Sequence, residues 1–148
     1  MSETRDIVVE RHVAAPPEKV FAYFTDAEKW MAWQGTEAQL ELRPGGIWRV
    51  NVTGEGFASG RVVEVVENQR VVFTWGWEHG PPVAPGSTTV VIELYPDAEG
   101  TIIRLTHRDL PDDQRDIHRQ GWEHYVARLA AVADGQEPGP NKLGEPAS

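Results

Sequence analysis

Two histidines and a group of aromatic side chains carry whatever chemistry this chain can perform. His118 lies near the middle of an apolar helical face, and His107 shares strand parity with Ile103 and Leu105. An imidazole so placed could hold a polar ligand group or move a proton, because its unperturbed pKa of about 6.5 is easily tuned. A histidine merely hydrogen-bonded in a core would look the same, and for His118 that is the commoner outcome. Trp48 is in phase with Val50 and Val52, while Trp75 and Trp77 are in phase with Phe73 and Val71. Such rings can stack on a planar ligand or simply fill a core. Arg11 falls on the parity of Ile7, Val9 and Val13, yet an exposed strand end is favoured over a buried guanidinium.

Other chemistry finds no support. Two histidines lack a third metal ligand in the motifs, so neither a metal nor a cofactor is expected. The chain has no cysteine, no Gly-x-Ser-x-Gly elbow, no phosphate loop, no dinucleotide fingerprint and no zinc-protease motif. Glu64, Glu78, Glu93 and Asp109 cannot be paired as an acid and a base from sequence alone. With 23 acidic against 14 basic residues, a net charge of -9 and no basic run, nucleic acid is not an expected partner. No apolar run reaches the length of a membrane span and no leader pattern opens the chain, so a cytoplasmic protein without a membrane partner is expected.

The elements that must position these residues follow from periodicity and turn signals. Ile7, Val9 and Val13 alternate in a first strand, and Pro16-Pro17 suits the opening of a helix through Thr25. Asp26 can cap a short second helix through Met31. Alternation broken by turns then predicts six strands at about 37–43, 46–53, 57–67, 70–78, 87–95 and 101–108. Asp112 or Asp113 should cap a helix to about Ala133, with Gly121, Trp122, Tyr125, Leu129 and Val132 on one face. At 148 residues one domain is expected, spanning 1–135, with 136–148 a disordered tail too poor in apolar residues to fold. One strand, two short helices, six strands and a long helix make an α+β layout, an antiparallel sheet curved around the last helix.

Five motifs in order carry a family resemblance: Ala15-Pro16 before a helix, Gly45-Gly46-x-Trp48, Phe73-Thr74-Trp75, Thr101-x-Ile103-x-Leu105-x-His107 and His118-x-x-Gly121-Trp122. Together they resemble the START-like, or SRPBCC, superfamily, in the branch named after heat-shock protein 90 ATPase activator homologues. The resemblance implies a helix-grip fold, in which a seven-stranded antiparallel sheet wraps the C-terminal helix and leaves a cavity between them. It implies no common reaction, since members include lipid carriers, cyclases, hydrolases and resistance proteins. The eukaryotic chaperone activators add an N-terminal domain without a counterpart here, so neither chaperone activation nor a chaperone partner is expected.

The reading is thus a helix-grip protein that binds a small apolar or aromatic molecule. Its expected ligand-binding residues are Trp48, Phe73, Trp75, Trp77, His107, His118, Trp122 and Tyr125. A cyclase- or hydrolase-type enzyme using His118, and a chaperone-associated stress protein, are the alternatives. A homodimer stays open.

Overall fold

A computed structural model describes residues 6–53, 56–80 and 82–138. The turn expected at Gly54-Glu55, Pro81 and most of the tail expected from 136 onward lie outside those residues. The elements run in the order β1 (Ile7–Val13), α1 (Pro17–Thr25), α2 (Ala27–Met31), β2 (Glu37–Leu40), β3 (Ile47–Asn51), β4 (Phe57–Val66), β5 (Arg70–Trp75), β6 (Thr88–Asp97), β7 (Gly100–Arg108) and α3 (Asp112–Ala133).

The seven strands form one antiparallel sheet in the order β1-β7-β6-β5-β4-β3-β2, and α3 lies against its concave face. A register shift between Val62 and Glu64 in β4 adds the local twist that a sheet needs to curl. The fold is the helix-grip that the motifs imply. Pro17 stands at the first position of α1, where its missing N–H costs nothing, and the Asp26 carboxylate accepts from the Lys29 N–H at 3.1 Å to cap α2. The α1–α2 pair bridges from β6 and β7 to the opposite edge strand β2. Neither Asp112 nor Asp113 caps α3, however. Pro111 takes the cap position without a side-chain bond, and both aspartates fall in the first turn, where their charge complements the helix dipole.

β2 and β5 each end three residues earlier than alternation suggests. β2 stops at Leu40 because the chain folds back through a turn in which Gly46 N–H donates to the Arg43 carbonyl at 2.8 Å. β5 stops at Trp75 because Gly76 runs against the loop at Ala84, where any Cβ would overlap the Ala84 carbonyl. Trp77 therefore lies outside the strand, held by a single bridge to Ala58 and by its N–H donating to the Val83 carbonyl at 2.6 Å. A bidentate pair between Arg49 and Glu78, with N–O distances of 2.6 and 2.8 Å, pins the following residue.

Aromatic rings fill the trough of the sheet in a layer of their own. Trp48 and Phe73 stack at 4.3 Å between centroids, and Trp30 meets both edge-on at 5.5 and 5.9 Å. Phe24 and Trp33 complete the group, and all five are fully buried. The Trp33 indole N–H donates to the Tyr23 carbonyl at 3.0 Å, and the buried Arg128 of α3 donates through Nε to the Trp33 carbonyl at 2.9 Å. That bond ties the last helix to the α2–β2 connection. Arg11 is exposed, as favoured.

Candidate functional site

Above this aromatic floor, between the sheet and α3, lies a cavity of about 390 Å³. Trp75 at the end of β5 and Trp77 just beyond it form one wall, while His118, Trp122 and Tyr125 of α3 form the other. Gln34, Val52, Thr53, His79, Pro82, Gln114, Ile117 and Gly121 complete the lining. Ile117, 63% exposed, marks the mouth with the exposed His79, whose ring stacks on Trp77 at 5.9 Å.

Five of the eight expected site residues are thus brought together: Trp75, Trp77, His118, Trp122 and Tyr125. Trp48, Phe73 and His107 stand behind them. Strand parity places all three inward but cannot tell a floor from a wall, and the first two belong to the buried aromatic layer just described. His107 is fully buried behind Trp122, whose indole N–H donates to His107 Nδ1 at 3.0 Å. With Nδ1 accepting, the proton of the neutral ring sits on Nε2 and is donated to Thr88 Oγ1 at 2.8 Å. Thr88 in turn donates to the Trp75 carbonyl at 2.8 Å. A continuous buried chain therefore fixes Trp122 against β5.

His118 performs the same service for Trp77. Its Nδ1 donates to the Gln114 carbonyl at 2.8 Å, and its Nε2 accepts from the Trp77 indole N–H at 3.1 Å. The two imidazoles meet edge-on at 5.5 Å. Burial holds His107 well below the ordinary imidazole value of 6.5, and the neighbouring His118 adds to the effect. Burial also lowers His118, against partial opposition from its bond to Gln114. Both rings are neutral near pH 7, as acceptors of tryptophan N–H bonds must be. Neither has a ring nitrogen left for a metal, and among the described residues no group of three or more metal-ligating side chains converges.

Among the described residues no lysine, arginine, aspartate or glutamate lines the cavity. Tyr125 donates weakly to the Val52 carbonyl at 3.4 Å. Gln34 was not anticipated, because it sits in the short non-periodic link after α2, where no pattern marks a side chain as inward. It is only 1% exposed, and its Oε1 accepts from the Trp30 indole N–H at 2.9 Å. Gly121 was visible on the apolar face of the helix, but its significance comes from what surrounds it. A Cβ built there would meet nothing within 4 Å. At 100° per residue it falls between Ile117 and Tyr125 within the arc of lining residues, so that open space is the cavity itself.

Comparison with known proteins places this geometry among relatives. The family model described as Activator of Hsp90 ATPase homolog 1-like protein matches residues 14–134. The chain is similar to the AHSA1-like protein of Rhizobium etli, 45% identical over 100% of this chain and 93% of that one, with a TM-score of 0.75. It is also similar to protein MLL2253 of Mesorhizobium loti, 25% identical, with 88% and 98% of the two chains covered and a TM-score of 0.79. An uncharacterized protein of Schizosaccharomyces pombe is 24% identical over 84% of this chain, which spans 36% of that relative's length. Among the described residues no helix is long and apolar enough to cross a membrane.

Proposed function

Because the chain belongs to the Activator of Hsp90 ATPase homolog 1-like family, in which a shared fold does not by itself dictate a shared activity, we propose that it is a binding protein for a small, flat, largely apolar molecule held between the sheet and α3. The observation that carries this reading is Gly121. A glycine inside a helix costs roughly 1 kcal/mol relative to alanine. Here no crowding demands it, and any larger side chain would occupy the cavity. Stability is forgone at a position where forgoing it keeps the cavity open. Its aromatic walls and few polar groups match the usual composition of small-molecule sites. Binding is favoured over acid–base chemistry because both nitrogens of His118 are engaged with Trp77 and Gln114. A single domain spanning 1–135 is part of the same proposal.

Planar hydrophobic probes should quench tryptophan fluorescence saturably and raise the melting midpoint, since a ligand that prefers the native state stabilises it. Gly121→Leu should abolish both responses while remaining folded. Gly121→Ala should melt higher and bind more weakly. A Gly121→Leu protein that binds as well as the parent would refute the proposal.

A further inference from the structure

Resting on that reading, we infer that the ligand is uncharged and carries a hydrogen-bond acceptor, such as a carbonyl oxygen, that Gln34 receives through its amide nitrogen. Gln34 is half-used, and among the described lining residues it stands beside a second unpartnered donor, the Trp75 indole N–H. Its carbonyl oxygen is turned to the Trp30 indole N–H, which fixes the orientation of the amide, because the opposite orientation would set two donors face to face. What remains to line the cavity is the NH2 group, and it makes no hydrogen bond to any described residue. A side chain this deeply buried does not leave a donor idle without cost, so an acceptor supplied from the cavity would satisfy it.

The charge of the ligand follows from the rest of the wall. Among the described residues no lysine or arginine lines the cavity, and the titratable groups facing it are His79 at the mouth, His118 and Tyr125. His118 is committed to its neutral form by the Trp77 N–H that it accepts. A carboxylate or sulfonate would be taken out of water with no lysine or arginine to pair it, which buried sites do not tolerate. A neutral acceptor meets the Gln34 amide at no such cost. Trp75 and Trp122 touch at 5.0 Å between centroids, with Trp77 edge-on to Trp75, so together they offer the ligand a continuous aromatic surface.

The test uses the fluorescent naphthyl ketone Prodan and the dimethylaminonaphthoate of the same ring system, titrated into the whole protein. Prodan should bind saturably, with emission at the longer wavelength of a hydrogen-bonded carbonyl. The naphthoate should bind about tenfold more weakly or worse, the loss expected for one uncompensated contact or charge. Gln34→Glu keeps an acceptor for Trp30 but replaces the donor, and should weaken Prodan by about tenfold. Gln34→Met should weaken it and move the emission to shorter wavelength. Naphthoate binding as tight as Prodan would overturn the assignment of charge. Unchanged affinity and emission in folded Gln34 variants would overturn the assignment of the donor. Should those variants not fold, the emission wavelength in the parent protein decides the donor. Failure of both probes to bind would instead remove the reading of the cavity on which the inference rests.

Discussion

Replacing His107 by leucine separates a structural imidazole from a ligand handle. The substitution nearly preserves volume but removes the acceptor of the Trp122 indole N–H and the donor to Thr88. Trp122 is 2% exposed, so its N–H would be left without water, at a cost of about 1–3 kcal/mol. Thr88 keeps its own bond to the Trp75 carbonyl and loses only an incoming one, adding roughly 1 kcal/mol. A total of about 2–4 kcal/mol corresponds to a fall in melting midpoint of roughly 5–15 °C for a domain of this size. Trp122→Phe removes the donor instead, so the double variant should cost about 1–3 kcal/mol less than the sum of the singles. Thermal and urea unfolding followed by circular dichroism would measure all four proteins, with probe titrations under conditions where each is folded. A His107→Leu protein as stable as the parent that no longer binds probe would refute the arrangement and return His107 to the cavity.

The other expectations use the same assays. Both histidines have folded-state values lowered from 6.5, so the unfolded chain takes up their protons first; stability present near neutral pH should decline as pH falls through 6.5 and level off only below the folded-state values. Urea midpoints across that range should show a shallower slope in His107→Leu, and an unchanged slope would mean that the ring is not buried neutral. His118→Gln carries a donor and an acceptor but not in the ring's fixed positions, so probe affinity should fall by more than the stability loss of about 1 kcal/mol; a pure stability loss with intact affinity would leave Trp77 positioned by other means. Ending the chain after Gly135 should leave the melting midpoint almost unchanged, and a drop of several degrees would show that the domain extends further.

The order of elements was legible because its signals are local: alternation within strands, proline before α1, glycine and proline between strands. Inward-facing residues were legible by parity for the same reason. What parity lacks is depth. Trp48, Phe73 and Trp75 are all in phase, yet the first two stack in the buried layer while the third lines the cavity. Trp77 reaches the wall for a reason that alternation misstates, since the strand has already ended at Gly76 and a tertiary contact with Ala84 decides it. Arg128 is buried because its acceptor, the Trp33 carbonyl, is supplied 95 positions away. Gln34 became visible only through the bond that consumes half of its amide.

Buried side-chain bonds explain why the cavity can stay open in a domain otherwise filled with rings. An unsupported aromatic wall would collapse, because each tryptophan gains by burying its remaining face. Here Trp122 is anchored through His107, Trp77 through His118, and Trp30 beneath them through Gln34, so collapse would break a buried hydrogen bond in each case. The same anchors hold the rings in place before a ligand arrives, so little rotamer entropy remains to be lost on binding. Both histidines that sequence inspection would nominate for chemistry are therefore consumed in holding a wall, and the donors left over among the described lining residues, the Gln34 amide and the Trp75 indole N–H, are where the molecule can still recognise something other than shape.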